Sequence, residues 1–292
     1  MIRMLLALSL FAGASHGCSE NTPTSDANTG LSDGGPSTGD MGPSPERPVA
    51  RFSVAEDRFD TVFAGVPFPS DLYRTEQGTI DLAGFPFQSE GSMVDVLVTA
   101  LAEEAKGFGT SSGLYMSFES PINEAALPSN GASSIRSTSN LFLVNVDPDS
   151  PTRGERMPIT WRVFPDETLY LPNNSLGIRL VEGGVLMPST KYALVITTEA
   201  ATPTEAFLST LAETRPEGSI GAAWDIHAPL RDWIAESEVD IAAASVFTTQ
   251  DPVSELFRIR DYMHTLPRPT ITNVESTGIR QGLFEVFEGT YQ

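Results

Sequence analysis

Cysteine, histidine and positive charge are scarce in this chain of 292 residues. One cysteine and three histidines cannot assemble a Cys/His zinc site or a disulfide framework. Lys and Arg number 18 against 38 Asp and Glu, a formal net charge of -20. That surplus repels a phosphate backbone and no local basic patch relieves it, which excludes nucleic acid as a partner. Charged residues make up only 19%, below the usual ~25%. With 24 Gly and 22 Pro, this argues for frequent turns and against a coiled coil or an all-helical bundle. The length admits about two domains, or one large β-rich domain.

The N-terminus has the order of a secretory signal. Met1-Ile2-Arg3 precedes an apolar run from Met4 to Ala14, and small residues lead to Gly17-Cys18. The run falls short of the ~20 residues a membrane-spanning helix needs. The end of the signal resembles a bacterial lipobox, in which the cysteine is acylated and becomes the new N-terminus. Gly17 and Cys18 fit that pattern, whereas Ser15 and His16 depart from it. Cys18 is therefore the predicted lipidation site, with ordinary secretion as the alternative. From Ser19 to about Pro48 the chain is Ser, Thr, Asp, Gly, Asn and Pro with almost no large apolar residue. Such a stretch buries no core and reads as a tether.

Residues 49–251 read as the folded body, mostly strand with helices set among them. Val94, Leu97, Val98, Leu101 and Ala105 follow the spacing of an amphipathic helix over 94–108, with Gly107 as its stop. LYMSFES (114–120), NLFLVNV (140–146), MPITWRVF (157–164), ETLYLPN (167–173) and KYALVITTE (191–199) read as strands. Further helices are expected over 203–211, 222–237 and 253–266. Short strands between Pro, Asn, Asp and Gly loops predict a mainly β fold, a β-sandwich with several packed helices. After a connecting helix over 252–270, ITNVES and GLFEVFEGTYQ in 271–292 alternate like two strands of a new sheet. Two strands rarely stand alone. They either pair with the preceding body or open a further domain, and the second alternative is the one expected.

No motif carries chemistry convincingly. Gly109-Thr110-Ser111-Ser112-Gly113 is a formal G-x-S-x-G, but a nucleophile elbow needs a strand before it and a helix after it. Here a helix precedes and a strand follows, so a Gly/Ser turn is expected. His227 sits among Trp224, Asp225, Asp232 and Trp233. Helical spacing places Trp224, Leu230 and Trp233 on a buried side and His227 at its rim. His264 suits a helix C-terminus. Asn145, Asp147 and Asp149 alternate like half of a calcium loop, but Ser150 replaces the glycine and Arg156 the bidentate glutamate. Glu103 and Glu104 lie on a polar face. No catalytic, cofactor-binding or metal-ligating residue is assigned. In VPFPSDLYR (66–74), an extended edge should cross into a turn, with Phe68 packed inward and Asp71 capping the bend. An ordinary proline-rich loop is the alternative.

VPFPSDLYRTEQGTIDL (66–82) resembles the opening of the N-terminal, immunoglobulin-like region of bacterial surface lipases of the virulence-factor lipase type. GFGTSSGLYMSFESPIN, LMPSTKYALVITT and SVFTTQDPVSELFRIRD follow in that family's order, and the resemblance spans about Asp60 to Gly289. It implies an immunoglobulin-like sandwich on a lipid-anchored envelope protein, on the outer membrane or secreted. In that family the triad belongs to a C-terminal α/β-hydrolase domain, so no catalytic residue carries over. The implied partners are a membrane, through the lipid anchor, and that hydrolase domain. The alternative is a free-standing surface module that binds glycan or envelope protein through loops at one end of the sandwich.

Overall fold

A computed structural model of the protein describes residues 46–55, 65–82, 85, 91–282 and 284–291. The signal segment, Cys18 and most of the tether lie outside the described residues.

In chain order the elements are α1 (Met93–Glu104), β1 (Leu114–Ser117), α2 (Gly131–Ser134), β2 (Leu141–Asn145), β3 (Arg156–Met157), β4 (Ile159–Phe164), β5 (Ser175–Leu180) and β6 (Lys191–Thr197). They continue with α3 (Glu205–Thr210), α4 (Ser219–Ile226), α5 (Ala228–Ser237), β7 (Ile241–Thr248), α6 (Ser254–Thr265), β8 (Ile271–Gln281) and β9 (Phe284–Tyr291). The strands form a three-stranded sheet β1-β5-β4, a four-stranded sheet β3-β2-β6-β7 and a β8-β9 hairpin, every pair antiparallel. The fold is thus sheet-rich with packed helices, and the first two sheets feed one continuous hydrophobic core.

The four-stranded sheet is its centre. Every residue of β2 and β7 is buried, so both faces of this sheet are covered. NLFLVNV is therefore a fully buried strand, not the half-buried one its composition suggests. Phe142, Val195 and Ala244 share one row across β2, β6 and β7. Phe142 on that side packs against Trp233 of α5, ring centroids 5.9 Å apart. Further along β7, Ser245 donates to the Pro69 carbonyl, and the Phe247 ring meets Phe108 edge-on at 6.2 Å. The N-terminal stretch stitches the two sheets along one edge. Ala50 N donates to Thr202 O at 3.0 Å beyond β6, and Arg51 N to Ser117 O at 2.9 Å on β1.

Several predicted elements shift. ETLYLPN is not a strand: the Thr168 hydroxyl accepts from Leu171 N at 2.9 Å and Thr168 N donates to Leu171 O at 2.8 Å, closing a turn. The single helix expected over 222–237 is two, broken at His227, with Pro229 in the first turn of α5. The helix over 94–108 ends at Glu104, and Val98 is its buried residue, while Leu101 is exposed. Gly107 lies beyond the helix end at φ +115, and a Cβ there would meet the Thr249 and Gln250 backbone at 2.8 Å.

Candidate functional site

VPFPSDLYR, GFGTSSG and LMPSTK meet SVFTTQD in one place, the end of β7 and the residues just after it. Pro67 and Pro69 give no backbone N–H, and Phe68 pairs with Tyr115 through bonds of 2.8 and 2.7 Å. This is the expected extended edge. Phe68 is half-buried, its ring edge-on to Phe108 at 5.6 Å. The chain then enters a short 3-10 turn, Asp71–Tyr73. Ser70, not Asp71, caps that turn, its Oγ accepting from Leu72 N at 3.3 Å. The expectation for Asp71 is thus corrected: its side chain reaches instead across to β7. Its Oδ1 accepts from Thr248 N at 2.9 Å and its Oδ2 from Thr248 Oγ1 at 2.6 Å. Asp71 is buried, so desolvation pushes its carboxyl above the ordinary carboxylate value. The Thr248 bonds, Arg74 at 3.5 Å and the more distant Lys191 pull it back.

GFGTSSG holds the same strand end through its backbone. Phe108 N donates to Thr248 O at 2.9 Å and Gln250 N to Phe108 O at 2.8 Å. LMPSTK supplies the third grip. Thr249 Oγ1 donates to Met187 O at 2.6 Å, Thr190 N to Thr249 Oγ1 at 2.9 Å, and Thr249 N to Thr190 O at 3.0 Å. Leu186 N also donates to Thr110 O at 2.9 Å, joining the last two segments. Asp251 follows at once and starts α6, its Oδ1 accepting from Ser254 N at 3.0 Å. Residues 248–250 are therefore a clamped exit from the body.

The remaining candidates resolve into structural roles. Gly109–Gly113 is a turn between the Phe108 bridge and β1, and Ser112 Oγ donates to Gly109 O at 2.9 Å. Ser111 is exposed there, with a helix before it and a strand after it, as the sequence indicates. His227 is not at a rim. It is 1% exposed, edge-on to Phe52 and Phe207 with centroids 5.9 and 6.0 Å away. Its Nδ1 lies 2.7 Å from Ala223 O and its Nε2 3.4 Å from Ala244 O. A neutral ring has one proton, and the shorter contact takes it on Nδ1. Burial holds the ring below its ordinary pKa, and the two carbonyls oppose that shift. The rim assignment fails because the helix breaks at His227, which turns the ring inward against β7. Trp224 is half-buried under the Arg231 guanidinium, 3.6 Å above its ring. Asp225 pairs with Arg215 at 2.7 Å, which lowers its carboxyl.

Asn145, Asp147 and Asp149 do not converge on a cation. Asn145 Oδ1 accepts from Asp147 N and Asp147 Oδ1 from Asp149 N, each at 3.0 Å. Asp147 Oδ2 accepts from Lys191 N at 2.9 Å. Asn145, the last residue of β2, is 1% exposed and anchors a loop in which Pro148, Asp149, Pro151, Gly154 and Glu155 are exposed. Glu103 and Glu104 are exposed on α1. Among the described residues, no group of three or more His, Cys, Asp or Glu could hold a metal ion, and no helix is long and apolar enough to cross a membrane. Beyond the exit, α6 and the β8-β9 hairpin bury no residue whose exposure is described.

Comparison with family models, curated proteins and solved structures finds no match to this chain.

Proposed function

We propose that this chain is a lipid-anchored cell-envelope protein, tethered at Cys18, whose immunoglobulin-like β-sandwich is the non-catalytic N-terminal portion of a lipase-like hydrolase. Its task is to hold an enzyme domain at a fixed orientation above the membrane. The observation that carries this reading is the clamped exit, where three separate segments bond residues 248–250 before the chain passes into α6.

The hairpin supports the same reading. Along β9, Phe284 and Val286 lie on one face and Phe287 and Tyr291 on the other, all of them exposed. Apolar side chains on both faces call for cover on both, as in the sheet of an α/β domain. This chain should turn over no ester. Purified protein assayed with short- and long-chain p-nitrophenyl esters tests this, and turnover abolished by Ser111→Ala would overturn it. Cys18→Ser should move the protein from the membrane to the soluble fraction, and unchanged partitioning would remove the anchor from the proposal.

A further inference from the structure

Leu256, Ile259 and Met263 recur along α6 at alternating spacings of three and four residues, and Leu266 at its C-cap extends the row. They are exposed by 63%, 49%, 62% and 47%. This is the a/d spacing of a two-helix seam. With Leu256 and Met263 at a, Glu255 falls at g and Arg260 at e. In a parallel pair a g side chain faces the partner's e side chain five positions on. Glu255 of each copy then meets Arg260 of the other. An antiparallel pair would set arginine against arginine. Arg260 now donates to its neighbour Asp261 at 2.6 and 2.9 Å. Both residues of that pair are exposed, so it is weak and gives way at little cost. Residues 252–292 hold four arginines against five carboxylates, so most of the net charge of -20 sits elsewhere in the chain. Two copies could meet here with the least mutual repulsion.

We infer that α6 is a self-association seam, and that its occupant is α6 of a second copy of this chain in parallel orientation. Two heptads are short, so the pairing is weak and dependent on concentration. It stands independently of the hydrolase reading.

Disulfide trapping in the full chain tests it. Cys18→Ser removes the native thiol, and a single cysteine is placed by Met263→Cys in the seam or by Arg258→Cys outside it. Oxidation should link Met263→Cys chains about tenfold faster than Arg258→Cys chains. Glu255→Arg should remove most of that advantage, and adding Arg260→Glu should restore it. Equal trapping at the two positions would overturn the seam. Failure of the double reversal to restore trapping would overturn the parallel pairing. All these positions are exposed on α6, and an unchanged circular dichroism spectrum confirms that each variant folds.

Discussion

Asp71→Ala should loosen the whole exit from the body. The carboxylate accepts two hydrogen bonds from Thr248, at 2.9 and 2.6 Å, and bonds to a charged group contribute about 1.5–3 kcal/mol each. Alanine also leaves the Thr248 N–H buried without a partner, a further cost of about 1–3 kcal/mol. Against this, the carboxylate's own desolvation disappears, and the upward shift of its pKa shows that burial outweighs the bonds. The net loss expected is about 2 kcal/mol, a fall in Tm of roughly 4–8 °C for a body of this size. Thr248→Val removes only the hydroxyl bond and should cost about 1 kcal/mol. Because the two residues touch, the double variant should be less destabilised than the sum of the singles, by about 1 kcal/mol or more. Urea unfolding followed by tryptophan fluorescence reads all four proteins. A cost below about 1 kcal/mol for Asp71→Ala, or strict additivity, would refute the clamp. The pH dependence has a definite sign. A carboxyl raised in the folded state binds a proton where the unfolded chain does not. Its contribution to stability therefore falls as pH rises from 3.8 through the folded value, and Asp71→Asn should flatten that part of the profile.

Two further perturbations probe the packing around it. The His227 ring is held below 6.5 in the fold, so the unfolded chain takes up the proton first. Stability should be fully present above 6.5 and decline as pH falls toward the folded value, by up to about 1.4 kcal/mol per pH unit. Urea titrations from pH 7.5 to 5.5 should show this slope in the native protein and not in His227→Leu; an equal slope in both would place the titration elsewhere. Gly107→Ala puts a Cβ 2.8 Å from the Thr249 and Gln250 backbone at φ +115, and should cost about 3 kcal/mol. A melting temperature within 2–3 °C of the native one would mean that the 107–108 segment is not tightly held.

Strands whose own residues advertise them were legible in the sequence. LFLVN and KYALVIT are dense in β-branched and large apolar residues, and both are strands. IAAASVFT escaped because it is covered on both faces and its alanines lack β character. SLGIRL escaped because Gly177 interrupts it. That glycine is needed where Phe164 crosses, since a Cβ there would lie 2.8 Å from the ring. The turn at Thr168 was hidden by apolar neighbours that resemble a strand. Of the exit clamp, the sequence displayed the four motifs but not their meeting point. Asp71 and Thr248 stand 177 positions apart, and no local pattern encodes such a bond. The reassignment of His227 has a similar cause, because one helix break decides whether the ring faces solvent or β7. The C-terminal hairpin was legible because its strands alternate and a short turn joins them.

Reading the genomic DNA through and beyond the codon for Gln292 tests most directly whether this domain serves an enzyme. A domain that positions a lipase-like hydrolase requires the reading frame to continue, directly or after a frameshift, into a G-x-S-x-G set between a strand and a helix. A stop codon followed by unrelated sequence would contradict that role and leave a free-standing surface module for glycan or protein.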